Sequence, residues 1–223
     1  MKIKTKAVVL VSGGLDSCVT AAIANQTCEL SFLHANYGQR TEQKELSAFS
    51  KIADYYNVKN RLVSDLKWLK KIGGSSLTDD KVIIPNGNLN RKGIPSTYVP
   101  FRNAVLLSMA VSWAETISAD FIFIGTVAQD IPNYPDTKPE FFRVFNKLIK
   151  VGTNTAIGTK IVTPINNLEK SEVIKLGIKL NAPLNLTWSC YKNNKTPCNK
   201  CDACIRRENA FKILKFKDPI LDF

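Results

Sequence analysis

Lys6 to Ser12 is a short apolar run rich in β-branched residues, and it reads as a buried strand. It leads directly into Gly13-Gly14-Leu15-Asp16-Ser17, after which Cys18 to Asn25 has the composition of a helix. Leu30 to Asn36 repeats the strand pattern. From Thr41 to Tyr56 the apolar positions Leu46, Phe49, Ile52, Ala53 and Tyr56 fall at helical spacing behind a Thr41 cap. Asn60 to Ser64 is a third strand. The order β-α-β-α-β predicts a parallel sheet with right-handed crossovers.

Gly73 to Pro100 then loses all periodicity and fills with Gly, Pro, Asn and Ser; so long an irregular stretch inside a domain is usually functional. Periodicity returns in a helix over Arg102 to Ile117 and a strand over Asp120 to Thr126. A Pro-rich loop, Val127 to Pro139, precedes a helix over Glu140 to Gly152. A short strand at Ile161 to Thr163, a helix over Lys170 to Leu180 and a basic helix over Asp202 to Lys215 complete the chain. The pattern predicts an α/β nucleotide-binding domain over residues 1–168 and a helical C-terminal segment over 169–223.

Composition narrows the class. The hydrophobic share of 44% supplies a core without disulfides, and no stretch approaches the roughly 20 apolar residues that span a bilayer. The basic start, Met1 to Lys6, is followed by an apolar run only from Ala7 to Val11, too short for a signal peptide, so a cytoplasmic location is expected. A net charge of +12 favours an anionic partner, although the scattered Lys and Arg residues fit a solvated basic surface equally well. Of the six cysteines, Cys18 and Cys28 stand alone, and Cys18 reads as a small buried residue. The single histidine, His34, reads as packing.

The stretch Ser12-Gly13-Gly14-Leu15-Asp16-Ser17 sits between a buried strand and a helix, where α/β proteins bind phosphate. Glycines let the backbone close on an anion, and Ser12 and Ser17 add hydroxyls. Asp16 repels a bare phosphate, so its expected role is to hold Mg²⁺ against the phosphates. The pattern is neither a Walker loop nor a dinucleotide fingerprint. It resembles the PP-loop of N-type ATP pyrophosphatases, which implies ATP split between its α- and β-phosphates.

Cys190, Cys198, Cys201 and Cys204 crowd into one segment, two C-x-x-C steps sharing a cysteine with a fourth thiol upstream. In a reducing compartment that cluster reads as metal ligation, and a closed Cys₄ set suits a structural Zn²⁺. An iron–sulfur cluster and a redox C-x-x-C are the alternatives.

The loop and the cysteine knuckle together resemble the 7-cyano-7-deazaguanine synthase (QueC) family over nearly the whole chain. Further matching stretches are Tyr37-Gly38-Gln39-Arg40, Ser75 to Thr78, Ile94 to Pro100, Arg102-Asn103, Tyr134-Pro135-Asp136, Thr163-Pro164, Lys170-Ser171-Glu172 and Ser189-Cys190-Tyr191. The resemblance implies an ATP-dependent, C–N bond-forming ligase. Such an enzyme adenylates the carboxylate of 7-carboxy-7-deazaguanine, lets ammonia displace AMP, then dehydrates the amide to a nitrile with a second ATP. It implies one Zn²⁺ per chain, a homodimer, and no need for a membrane or nucleic acid. Asp16, Ser17, Arg102 and Asp130 become the candidate catalytic residues. Ser12, Gly13, Gly14, Leu15, Asp16, Ser17 and Arg40 become the nucleotide contacts. Arg40 and Arg102 are each placed to clamp a carboxylate or phosphate, or to form a surface salt bridge. Lys170 is either a phosphate contact or a solvated residue of a first helical turn.

The chain departs from the family pattern at Phe101, where Gly is usual, at Ala128-Gln129-Asp130, where an acidic triplet is usual, and at Pro132-Asn133 and Thr137-Lys138 around Tyr134-Pro135-Asp136. These changes open the alternative of a QueC-like enzyme of the anti-phage type, which joins the acyl group to a protein amine. A tRNA-modifying PP-loop enzyme and a zinc-knuckle RNA-binding protein are alternatives of another class.

Overall fold

The computed structural model describes residues 5–89, 93–154 and 158–221. Strands β1 (Thr5–Leu10), β2 (Cys28–Asn36), β3 (Arg61–Asp65), β4 (Phe121–Phe123) and β5 (Lys160–Val162) form one sheet in the order β3-β2-β1-β4-β5. Every neighbouring pair is parallel, as the alternation of strands and helices requires. The chain winds outward from β1 to β2 and β3, then returns across β1 to β4 and β5. The order reverses between β1 and β4, and a crevice opens at the carboxyl ends of strands at such a switch point.

Helix α1 (Leu15–Ala24) and α2 (Glu42–Tyr55) cover one face of the sheet; α4 (Arg102–Ile117) and α5 (Pro139–Gly152) cover the other. A five-residue helix, α3 (Trp68–Ile72), lies between β3 and the long loop. Period-2 alternation divides β1 between the two cores. Ala7 and Val9 pack with Cys18, Ala21, Phe32 and Phe49. Val8 and Leu10 pack with Leu107, Ala110 and Ile122 on the opposite side.

Some expected boundaries differ, and one short helix was not expected. Helix α1 begins at Leu15, inside the glycine motif, because extended Gly14 starts the first turn immediately. Strand β4 pairs only over Phe121–Phe123, shorter than the run from Asp120 to Thr126, since the chain turns off toward the crevice beyond it. Helix α3 is too short to show a periodicity and buries only Leu69. As expected, the described part of residues 73–100 holds no helix or strand. Its backbone is tied down instead, with Ser76 N–H donating to Ser96 O at 2.7 Å and Gly87 N–H to Lys200 O at 2.6 Å.

Helices α6 (Lys170–Lys179) and α7 (Asp202–Ile213) pack Val173, Ile174, Ala210 and Phe211 against Leu15 and Val19 of α1. A Cβ on Gly177 would lie 2.8 Å from Val19, so glycine lets α6 approach α1 closely. Arg207 is only 2% exposed. It donates to both carboxylate oxygens of Asp218 at 2.6 and 2.9 Å and to the Thr187 hydroxyl at 2.7 Å. This satisfied ion pair ties the end of the chain to the segment that reaches the glycine loop.

Candidate functional site

Gly13 adopts φ of +86°, and a Cβ there would lie 2.5 Å from the carbonyl oxygen of Glu45, so only glycine fits between β1 and α2. The Gly13 carbonyl accepts the Trp188 N–H at 2.9 Å, which joins the loop to the C-terminal segment. The loop is internally bonded. Gly14 N–H donates to the Ser12 hydroxyl at 3.1 Å, Ser12 N–H to the Ser17 hydroxyl at 3.2 Å, and the Ser17 hydroxyl to Gly14 O at 3.0 Å. No side chain caps the start of α1. Its first N–H groups and the positive end of its dipole therefore remain for an anion.

The loop forms one wall of a cavity of about 280 Å³ at the carboxyl ends of β1, β2 and β4. Of the expected site residues, Ser12, Gly14, Leu15, Asp16, Ser17, Arg102 and Asp130 line it; Gly13 supports the loop from behind, and Arg40 lies elsewhere. The Arg40 guanidinium donates to the backbone carbonyls of Asp79 and Val82 and pins the long loop to the end of β2.

Charge in the cavity is paired by type. Lys170, at the start of α6, donates to both Asp16 oxygens at 2.7 and 2.6 Å. The alternative of a solvated Lys170 is set aside, and Asp16 is held by an ammonium. Asp130 pairs with Arg206 of α7 at 3.2 Å. Burial first, then the charge of Asp16, pushes the Asp130 carboxyl above its ordinary range. Two carboxylates therefore share one corner, an arrangement a divalent cation relieves. Arg102 donates to the Tyr37 hydroxyl at 3.0 Å and lies 5.2 Å from that ring's centroid. It has no ion-pair partner among the described residues, which leaves a guanidinium facing the cavity for an anionic ligand. The Gln129 side-chain oxygen is buried without a hydrogen-bond partner.

The sulfurs of Cys190, Cys198, Cys201 and Cys204 lie within 4.8 Å of one another, Cys198 and Cys204 at 3.9 Å. Four thiolates about 2.3 Å from one tetrahedral ion sit about 3.8 Å apart, so the set fits a single ion. The N–H groups of Lys192, Asn193 and Cys198 point at the Cys190 sulfur at 3.4, 3.3 and 3.3 Å, donors that favour an anionic sulfur. Cys18 is different: burial pushes its thiol up to about 12, which makes it inert packing.

Sequence patterns marked Gln129 only as a departure in a substrate-facing loop, and did not single out Arg206 for the site. Arg206 follows Cys204 by two residues, so the knuckle that fixes the start of α7 also aims its guanidinium at the cavity. That proximity to a ligand cysteine was the available signal.

The family model described as queuosine biosynthesis protein QueC matches residues 6–215. The chain is 50% identical over 216 residues to a 7-cyano-7-deazaguanine synthase of Chlorobium phaeobacteroides (strain DSM 266 / SMG 266 / 2430), covering 96% of each chain. It is 49% identical to that of Chloroherpeton thalassium, again covering 96% of each, and 47% identical to that of Chlorobium luteolum, covering 96% of this chain and 95% of that one. Among solved structures, NMN synthetase from Francisella tularensis is similar at 17% identity, with a TM-score of 0.49 over 96% of this chain and 79% of that one. With the glycine loop, the crevice and the four-thiol knuckle all present in one chain, and the family model matched over residues 6–215, this chain belongs to the QueC family.

Proposed function

We propose that this protein uses ATP to adenylate 7-carboxy-7-deazaguanine and converts the acyl adenylate, with ammonia and a second ATP, into the nitrile. The observation that carries this reading is a single cavity with an uncapped helix N-terminus on one wall and the unpaired Arg102 guanidinium on another. One suits a polyphosphate; the other suits the acid that attacks it. The relatives' name supplies the product, 7-cyano-7-deazaguanine, and the carboxylic acid is the substrate that the family resemblance implies.

A carboxylate cannot expel oxide, so its oxygen first attacks the α-phosphorus and pyrophosphate departs. Arg102 is placed to hold the acid by a bidentate contact. The N–H groups of Leu15, Asp16 and Ser17 would face the β- and γ-phosphates, where negative charge builds as the bond breaks. Lys170 adds a cation beside them. Mg²⁺, held by Asp16 and Asp130, would neutralise phosphate charge. Ammonia then attacks the acyl carbon and AMP leaves, giving the amide. A second adenylation, on the amide oxygen, lets two protons and AMP leave to form the nitrile. Cys190, Cys198, Cys201 and Cys204 would hold Zn²⁺, which would fix the start of α7, and with it Arg206, against the cavity. The exposed Val144, Leu148 and Val151 on α5 support a homodimer. No helix among the described residues is long and apolar enough to cross a membrane.

The test is mass spectrometry of the products from ATP, Mg²⁺ and 7-carboxy-7-deazaguanine, with and without ammonium. Nitrile and AMP formed only with ammonium are expected. An adenylate that persists despite ammonium, and is consumed by a protein amine, replaces the nitrile reading with the anti-phage alternative. Formation of ADP, or no AMP, overturns the proposal.

A further inference from the structure

The substrate class proposed above has two unlike ends. One is a carboxylate. The other is the pyrimidine edge of a guanine-type ring, where N1–H and the 2-amino group are adjacent donors. A carboxylate is the complementary acceptor for such an edge, and an aromatic face is the complementary surface for the ring plane.

Four carboxylates line the cavity, and three of them have either an ion-pair partner or a donor on both oxygens. Both oxygens of Asp16 accept from Lys170, Asp130 is paired with Arg206, and the two oxygens of Glu45 accept from Thr41 Oγ1 at 2.6 Å and Gln39 Nε2 at 3.1 Å. Asp136 differs. It is 4% exposed, and its Oδ2 accepts the Asn103 N–H at 2.9 Å, at the first turn of α4. Asn103 Nδ2 donates back to the Asp136 carbonyl at 3.1 Å, so the residue is clamped from both sides. Oδ1 has no hydrogen-bond partner among the described residues.

Two tyrosines that line the same cavity are immobilised through their hydroxyls. The Tyr98 hydroxyl accepts the Phe101 N–H at 3.0 Å, and the Tyr134 hydroxyl bonds the Thr97 hydroxyl at 3.0 Å. Their rings stand 6.0 Å apart at 59°. With both hydroxyls anchored to the protein, the two rings are fixed in place and present their surface to a ligand. Arg102, next to Asn103 on α4, is the cation in this neighbourhood.

We infer that Asp136 is the specificity-determining residue that accepts N1–H and the 2-amino group of the deazaguanine, while Tyr98 and Tyr134 pack its ring. This inference rests on the function proposed above and deepens it.

Asp136→Asn tests it by a change of preference that a cap cannot produce. The amide oxygen can still accept the Asn103 N–H, but its NH₂ replaces an acceptor with a donor. The expected result is a KM for 7-carboxy-7-deazaguanine raised on the order of 100-fold or more, with the KM for ATP unchanged. The 2-oxo analogue, 7-carboxy-7-deazaxanthine, becomes the better substrate of the two. An unaltered preference in a folded Asp136→Asn protein overturns the inference, as does an equal loss with both compounds. A measurement on the unaltered enzyme covers a variant that fails to fold. The analogue lacking the 2-amino group should bind at least 10-fold more weakly than 7-carboxy-7-deazaguanine, and equal binding overturns the inference. An unaltered enzyme that ignores 7-carboxy-7-deazaguanine removes the functional proposal itself; turnover by that enzyme, with no switch in Asp136→Asn, removes the inference alone.

Discussion

His34, read from sequence as packing, is buried on β2 with its ring 4.9 Å from that of Phe49. Its Nδ1 lies 2.9 Å from the Val11 carbonyl, which can only accept, so a neutral ring carries its proton there. Its Nε2, 3.1 Å from the Asn36 amide, is then an acceptor, and the Asn36 NH₂ must turn toward it. Burial, ahead of the hydrogen bonds, lowers the His34 pKa below 6.5. The unfolded chain therefore takes up a proton that the folded chain refuses. This contribution to stability is complete above pH 6.5 and is lost as pH falls below it. Glu45 acts in the opposite sense, because burial raises its pKa and the folded state keeps the proton more readily as pH falls. A comparison isolates the histidine: urea midpoints at pH 7.5, 6.0 and 5.0 should fall more steeply for the wild type than for His34→Gln. Parallel curves contradict this account. Lys170 shows the other side of residue-level reading. Its position in a first helical turn left two roles open, and only a partner 154 positions away in sequence, Asp16, decides between them.

At the scale of elements, strands and long helices were legible because burial on one or both faces writes a period into the sequence. The β1 run, the helix over Arg102–Ile117 and the order of the parallel strands all follow from that. Helix α3 has too few residues to show a period, and the packing of the 73–100 loop depends on partners as distant as Lys200. The knuckle was legible from spacing alone, but its second role was not: α7 starts at Asp202, directly after Cys201, and carries Arg206 into the cavity. The two roles predict a coupled outcome. Cys201→Ser should lose its zinc, measured by elemental analysis, and melt at a lower temperature. Because α7 also holds Arg207 against Thr187, two steps from the Trp188–Gly13 bond, it should lose pyrophosphate release along with the metal. A metal-free variant of unchanged melting temperature and activity contradicts the coupling.

For the whole molecule, the glycine-loop wall of the cavity could be read in advance because it is contiguous in sequence. On the opposite wall Arg102, Asp130 and Asp136 were reached only through the family resemblance, and Arg206 not at all, because the fold gathers them from separate segments. Association is hidden in the same way, since an apolar residue facing solvent looks like core until the fold places it. Phe142, Phe145 and Ile149 take the buried face of α5, which leaves Val144, Leu148 and Val151 on the other at 52%, 55% and 83% exposure. Phe101 adds a ring, 62% exposed and 6.4 Å from that of Phe141. Apolar side chains at i, i+4 and i+7 form a stripe that one helix can press against its copy. Lys147 and Lys150 flank the stripe, and each chain carries a net charge of +12, so two copies repel as they meet. Screening weakens that repulsion and leaves apolar burial intact, so a dimer built on this stripe would tighten as salt rises. Sedimentation equilibrium should show tighter dimerisation at 0.5 M than at 0.05 M NaCl, about tenfold or more in Kd. Leu148→Glu should sediment as a 24.8 kDa monomer at both. A dimer that dissociates with salt, or survives Leu148→Glu, assembles through a different surface.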